Sequence, residues 1–450
     1  MMQFQLTNDF IENIAQLIAK KDGNALRELL QEFHFADIAE LLEQLKSDEA
    51  TYLFKQLESD LTSEALMELD EDVREKILDR LSPKEIAAEL EELDTDDAAD
   101  IIAELDKKIQ QKVIDKIEDE EHAADIVELL KYDENTAGAL MAKELVQVKE
   151  TWTVAGCVRE MRRQAENVTR VHSIYVTNKE GELTGRLSLK DLLTAETSTK
   201  ISDVYIPKVD YVTVHTENEE VARIMQKYDL EAIPVVDEKG ILVGRITIDD
   251  IVDFIKDEAE KDYQMAAGIS QDVEADDSVI DLTKARLPWL VLGLLGGLGS
   301  VYIMKGFDEA IATHVELFFF TPLIAAMAGN VGVQSSAIIV QGLANDNVKG
   351  SLFKRLLKEV ALALINGIAL GLLVILFGVL SEMDQKVAFT IAISMLLVII
   401  VAALVGTFVP IILDKKGIDP AIATGPFITT SNDIFGIFLF FFIAKMILNF

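Results

Sequence analysis

Five runs without a charged side chain, all in the last third of this 450-residue chain, decide its architecture. They are Leu287 to Met304, Leu317 to Asn345, Val360 to Ser381, Val387 to Leu413, and Pro420 to Ala444, the last interrupted only by Asp433. About 20 apolar residues carry a helix across the ~30 Å bilayer core, so each run reads as a span. The fifth is about 37 Å long at ~1.5 Å per residue. Asp433 stands near its middle. An unpaired carboxylate at that depth costs at least ~2.5 kcal/mol, so a chain keeps one beside a wet cavity, a proton path or a cation. The plainer alternative is an Asp satisfied by the hydroxyls of Thr429, Thr430 and Ser431.

Charge divides the chain in two. Of 42 basic and 77 acidic side chains, 11 and 11 fall in residues 281–450, leaving 31 and 66 in the first 280. The whole net charge of −35 therefore belongs to a soluble, acidic part. Such a surface repels nucleic acid and anionic lipid and gathers cations, which excludes a nucleic-acid partner. One cysteine, Cys157, rules out an internal disulfide framework, and five scattered histidines offer no zinc-ligand spacing. No nucleophile–base pair or metalloprotease motif points to an enzyme. Polar and charged residues appear within the first ten positions, so no signal peptide is expected and the acidic part is expected in the cytoplasm.

Residues 1–130 read as an acidic, all-α domain. The phrase Ala36-Asp37-Ile38-Ala39-Glu40-Leu41-Leu42 recurs as Ala99 to Leu105 and Ala124 to Leu130, with a weaker copy over Ile86 to Leu93. Short amphipathic helices, with polar breaks expected at Asp94–Asp97 and Glu118–Glu121, predict a small superhelical stack.

The period then changes. Ile174 to Asp191 and Ile233 to Asp250 match at a constant offset, each as strand, turn at Gly181 or Gly240, strand and helix. Ser188 and Thr247 stand as N-caps, with Asp191 and Asp250 at the third helical position. Helices upstream carry Val154, Val158 and Met161, and Val221, Ile224, Met225 and Tyr228; Thr216 with Glu219 is expected to form a capping box on the second. This paired pattern resembles tandem cystathionine-beta-synthase-type (CBS) domains, over 139–200 and 201–257. The resemblance implies a regulatory α/β module that can bind an adenine nucleotide such as ATP, with Asp191, Asp250, Ser188 and Thr247 as candidate contacts. Plain helix capping accounts for the same four residues.

Ile251 to Asp281 is expected to continue the last helix into an acidic connector with Asp253, Asp257, Glu258, Glu260 and Asp262, its 258–283 part a connecting, plug-like helix or linker, loop-like from Gln271 to Asp277. The membrane domain then occupies 284–450, with spans about 287–304, 317–345, 360–381, 387–413 and 420–444. Lys284 and Arg286, then Lys349, Lys354, Arg355 and Lys358, then Lys415 and Lys416 fall on one side. By the positive-inside rule the N-terminus is inside and the C-terminus outside the cell membrane.

The second span carries Pro322 and Gly329-Asn330-Val331-Gly332-Val333-Gln334-Ser335-Ser336. Asn330 and Asp433, equally far from the start of their uncharged runs, are expected at similar depth. Pro322 and the glycines are expected to free backbone carbonyls there, tolerated beside protein or water. Carbonyls, a carboxamide and a carboxylate make a hard-oxygen environment for Mg²⁺ or Ca²⁺. Gly293/Gly297 and Gly367/Gly371 are GxxxG pairs explained by helix packing.

Arg286-Leu287-Pro288-Trp289, Pro322 with Gly329-Asn330-x-Gly332-x-Gln334-Ser335, and Asp419-Pro420 leading to Gly425-Pro426, Thr429-Thr430 and Asn432-Asp433 resemble the MgtE-type magnesium channel and transporter family. So does the domain order. The resemblance implies a homodimer with its pore on the two-fold axis, and an ion site at Asp433 with Asn330, Gly329, Thr429 and Asn432. It implies Mg²⁺ both as transported ion and as regulator, closing the pore from the helical and CBS domains. Candidate regulatory acids are Asp96, Asp97 and Asp100, with Glu219, Asp229, Asp250, Asp253, Glu258 and Asp262 opposite. Departures from the family pattern are Val333, Ala328, and Lys256 and Lys261 in the connector. The readings held against this one are a transporter of another divalent cation (Co²⁺, Mn²⁺) and a non-transporting membrane Mg²⁺ sensor.

Overall fold

The computed structural model describes residues 6–165, 168, 170–270, 273, 277–344, 348 and 351–449. Of the positions used above, Gln271, Asn345 and Lys349 lie outside the described residues, as does most of the loop expected after Gln271. The chain forms two compact units, Met1–Lys256 and Asp257–Phe450.

The first unit opens with ten short helices, α1 to α10: Asn8–Lys20, Gly23–Leu30, Phe35–Glu43, Ser47–Phe54, Ser59–Glu68, Glu71–Leu78, Pro83–Leu90, Thr95–Glu104, Lys107–Ile114 and Glu120–Leu129. Packing links alternate helices, α3 to α5, α5 to α7, α7 to α9 and α8 to α10, which is the expected superhelical stack. Each recurring phrase supplies its apolar members to the shared core: Ile38, Leu41 and Leu42; Ile101 and Ile102; Ile126 and Leu129. Ser82 and Glu85 close a capping box on α7, with Pro83 at the first helical position. The expected polar breaks are largely helical. Thr95–Asp97 form the first turn of α8 and Glu120–Glu121 that of α10, where acids complement the N-terminal dipole.

The CBS pair follows. Strands β1 (Val146–Lys149), β2 (Ile174–Thr177), β3 (Leu183–Leu187) and β4 (Ile206–Pro207) make one sheet in that order, β1 parallel to β2. Strands β5 (Val212–Thr213), β6 (Ala232–Val236) and β7 (Leu242–Thr247) make the second. Helices α11 (Val154–Gln164) and α12 (Leu189–Thr194) serve the first repeat, α13 (Asn218–Tyr228) and α14 (Ile248–Ala267) the second. Gly181 and Gly240 sit at φ 93° and 81°, the left-handed region their turns require. The two turns also bind each other: Leu183 N donates to Gly240 O (3.0 Å) and Leu242 N to Gly181 O (3.2 Å). The expected Thr216–Glu219 box is absent, because α13 starts one residue later with Glu217 as cap, and Thr216 Oγ1 accepts from Thr213 N instead.

In the second unit, α14 ends before Gly268 (φ 81°), a few residues ahead of the loop expected from Gln271. Five helices long and apolar enough to cross a membrane follow: α15 (Val279–Lys305), α17 (Val315–Ala344), α18 (Leu352–Leu380), α19 (Gln385–Asp414) and α20 (Gly425–Leu448), the last preceded by a 3-10 turn over Pro420–Ala423. A short helix, α16 (Asp308–Thr313), joins the first two spans. The fold class is the expected one: helical domain, CBS pair and five membrane-capable helices. The core of the bundle lies where α19 packs between α17 and α18, around Ile391, Met395, Val398, Ile399 and Phe440.

Candidate ion sites

Helix α20 carries Asp433 between two neighbours, and small residues on both let it approach. On one side, a Cβ on Gly296 of α15 would lie 2.0 Å from Thr430 Cγ2, and one on Gly299 3.6 Å from Ile434 Cδ1. The α20-facing stripe of α15 is thus Gly296 and Gly299. Gly293 and Gly297, expected to pack as a GxxxG pair, have nothing within 4 Å. Gly367 and Gly371 do pack, against Leu396 and Ala392 of α19.

On the other side stands α17, one helix that continues through Pro322 and the glycines; Pro322 has no N–H for Phe318 O, which accepts from Thr321 Oγ1 at 2.7 Å instead. A Cβ on Gly329 would come 3.1 Å from Thr429 Cγ2 and 3.6 Å from Asp433 Oδ1. Gly329, Thr429 and Asp433 therefore meet, since Thr429 and Asp433 stand one turn apart on the same face. Asp433 is half-buried. Thr429 Oγ1 donates to Gly425 O at 2.9 Å, so this hydroxyl is spent on its own helix.

The other two expected pore residues go elsewhere. Asn330 is exposed on the bundle surface, as is Gln334 one turn on. Asn432 is 1% exposed, and its amide fills the notch at Gly332, whose Cβ would lie 1.8 Å from Asn432 Nδ2. Neither Asn432 Oδ1 nor Nδ2 has a hydrogen-bond partner. A buried carboxamide left unpaired costs about 1–3 kcal/mol per group. The neighbouring polar groups are satisfied: Ser336 Oγ donates to Ala423 O (2.8 Å) and Asp419 Oδ1 accepts from Ala421 N (2.8 Å).

A second carboxylate lies inside the bundle. Glu359 borders the third uncharged run, but α18 begins earlier, at Leu352, so Glu359 sits in its second turn, 9% exposed. Ser335 Oγ of α17 donates to it at 3.4 Å. Its position beside Lys358 hides it from a reading based on uncharged runs.

In the first unit, acids collect between α8 and the start of α14. Burial pushes Asp97 up to about 8, aided by Asp250, Asp94 and Asp100. Asp96 is raised well above the carboxylate range by burial, then by Asp97, Asp250, Asp94 and Glu144. The more exposed Asp100 rises to about 6, through desolvation and Glu104, with Arg74 opposing. Asp250 is raised by burial although Thr247 N (2.8 Å) and Oγ1 (2.6 Å) both donate to its Oδ2. The structure thus joins Asp96, Asp97, Asp100 and Asp250, and adds Asp94, Glu144 and Arg245. Arg245 donates through Nη2 to Asp94 (3.0 Å) and through Nε to Glu144 O, while its Nη1 is buried without a partner. Its only sequence signal is the match to Arg186 in the other repeat. Glu219, Asp229 and Asp253 are exposed, and Asp229 closes α13 in the left-handed conformation. Glu258 and Asp262 belong to the second unit, where Lys261 Nζ pairs with Glu258 (3.2 Å). Among the described residues no group of three or more Asp, Glu, His or Cys is arranged to hold a metal ion.

The two CBS aspartates differ. Asp250 is tied to Thr247 and faces the acids. At the other, Ser188 Oγ accepts from Lys190 N (3.2 Å), and the half-buried Asp191 carboxylate has no hydrogen bond among the described residues.

Comparison with known proteins joins these parts. The MgtE divalent cation transporter family matches residues 321–443, the MgtE intracellular N domain 33–135, and the CBS domain 137–198 and 201–257. A magnesium transporter MgtE of Bacillus subtilis is 34% identical over 322 residues, covering 71% of each chain. One from Enterococcus faecalis is 36% identical over 72% of this chain and 71% of its own. Both are named as transporters, not enzymes. A solved structure described as the cytosolic domain of the Mg²⁺ channel MgtE in complex with ATP covers 54% of this chain and 99% of its own, at 36% identity and a TM-score of 0.52. The acidic helical stack, the CBS pair and the membrane-capable helices thus match the domains of one family, and this chain belongs to the MgtE family of magnesium transporters.

Proposed function

We propose that the chain takes up Mg²⁺ across the cell membrane down its electrochemical gradient, through a site built on Asp433, and is shut by cytosolic Mg²⁺. The observation that carries this is the half-buried Asp433 facing the small Gly329, in an otherwise apolar span of a magnesium-transporter family member. The three spans that meet there, α15, α17 and α20, are also the least apolar of the five. An inside-negative potential favours entry of a divalent ion by ~4.6 kcal/mol per 100 mV, twice the single-charge value. Mg²⁺ sheds water reluctantly, so one carboxylate from each of two subunits with retained waters suits it better than a dry cage. Exposed Asn330 and Gln334, polar on a membrane-facing helix surface, support a homodimer in which that face meets a second copy. The N-terminus is assigned to the cytoplasm and the C-terminus to the outside.

Closure rests on the acids of the first unit. Mg²⁺ would take the place of the protons that burial favours on Asp96 and Asp97, beside Asp250, drawing α8 and α14 together. Asp100 joins them, and Glu219, Asp229, Asp253, Glu258 and Asp262 act as outer, screening acids. At the far end of α14, a Cβ on Gly425 would lie 2.1 Å from Ala266 O, and one on Gly268 2.3 Å from Pro426 Cγ. The last turn of α14 thus abuts the first turn of the helix that bears Asp433, and a shift of α14 would be felt there. ATP is assigned to the CBS pair, with Asp191 rather than the occupied Asp250 receiving the ribose hydroxyls, and Ser188 and Thr247 acting as caps.

The test is influx into proteoliposomes holding a divalent-ion indicator, with Mg²⁺, Mn²⁺, Co²⁺ and Ca²⁺ outside. Potential-driven Mg²⁺ entry that falls as Mg²⁺ on the cytoplasmic face rises supports the reading. Preference for Co²⁺ or Mn²⁺ would reassign the ion, and no flux would leave a sensor.

A further inference from the structure

Among the described residues, Glu359 is the acid buried in the bundle that the Asp433 site does not use. It lies among α17, α18 and α19, away from the α20-facing side of α17. Ser335, its partner, occupies a clamped stretch: a Cβ on Gly406 of α19 would lie 2.4 Å from Gly332 O and 3.1 Å from Ser335 Cβ. From the other side, Asn432 of α20 fills the notch at Gly332. Glu359 therefore secures the third side of a segment whose first turn bears Gly329, opposite Asp433.

Among the described residues Glu359 has no ion pair, and no other carboxylate joins it as a bound metal would need. The partner the structure gives it is the hydroxyl of Ser335, across on α17. A polar group buried in this way is costly to leave without its hydrogen bond.

We propose that Glu359 is a positioning residue that acts as a hydrogen-bonding strut: with Ser335 it ties the α17 segment from Gly329 to Ser335 to α18, and so sets the wall opposite Asp433. The inference rests on the Asp433 site being the ion site, but it fails separately from it.

Full-length protein in proteoliposomes, with Mg²⁺ influx measured against external Mg²⁺, provides the test for Glu359→Gln, Glu359→Leu, Ser335→Ala and Asp433→Asn. The strut predicts that Glu359→Gln, isosteric and neutral, keeps the wild-type half-saturating Mg²⁺ and maximal rate. Ser335→Ala and Glu359→Leu should raise half-saturation about ten-fold, the scale of one lost hydrogen bond of ordinary strength. If Glu359→Leu fails to fold, Ser335→Ala and Glu359→Gln decide the matter. Loss of flux in Glu359→Gln to the level of Asp433→Asn would overturn the strut, because charge would then be the essential property. Wild-type half-saturation in Ser335→Ala would overturn it too, leaving Glu359 without a positioning partner. Wild-type flux in Asp433→Asn would instead refute the ion site itself.

Discussion

Asp433 was legible because it is a charge where none belongs, and a single helix suffices to show its depth. Glu359 was not, because a charge at the border of an apolar run looks like an interfacial residue until the start of the helix is known. Asn330 and Asn432, both expected beside Asp433, stand apart from it for a similar reason: one is exposed, the other buried against Gly332. Counting residues gives depth along a helix, but only packing shows which face meets a neighbour. Gly332 illustrates the energetics: its missing Cβ is the space that Asn432 occupies. Gly332→Ala is predicted to destabilise the bundle by about 1–3 kcal/mol through overpacking. A thermal unfolding midpoint in detergent equal to wild type would contradict that. In the CBS pair, calorimetry with ATP should show heat lost in Asp191→Ala and kept in Asp250→Ala, because the Asp250 carboxylate is already held by Thr247. Equal loss in both would return the two residues to equivalent roles.

Among the elements, the repeats were the easiest to read. A constant offset between the two copies fixes strand, turn and helix twice, and the turn glycines adopt the φ values their position demands. The end of the connector helix was the hardest to place, since no proline marks it and it falls at Gly268, ahead of the loop expected from Gln271. Its break matters, because the end of α14 lies against the start of α20. Gly425 stands at φ 47° with Ala266 O in the space of a Cβ, so a side chain there is both strained and obstructed. Gly425→Ala is predicted to push α14 off this junction and leave flux high at cytosolic Mg²⁺ that shuts the wild type. Unaltered inhibition would mean that closure does not pass through this contact.

At the scale of the molecule, the acidic part and the apolar part were legible from charge alone. The meeting of Asp96 and Asp97 with Asp250, far along the chain, was a tertiary fact that no local pattern carries. Its consequence is a pH dependence. Asp97 and Asp100 hold protons in the fold that the unfolded chain has released, so their contribution is largest at or below the ordinary carboxylate range. It is lost as pH rises through about 6 for Asp100 and about 8 for Asp97. For the first unit in chelator, the unfolding midpoint is therefore predicted to fall between about pH 5 and pH 8, with Mg²⁺ restoring it more at the higher pH. A flat midpoint would show that the acids are not coupled to folding. The claim on which the rest depends is that Mg²⁺ passes Asp433. Its most direct test is potential-driven Mg²⁺ influx into proteoliposomes of purified Asp433→Asn, matched to wild type in folded protein and in assembly. The account predicts flux at the level of empty vesicles; influx at the wild-type rate would contradict it.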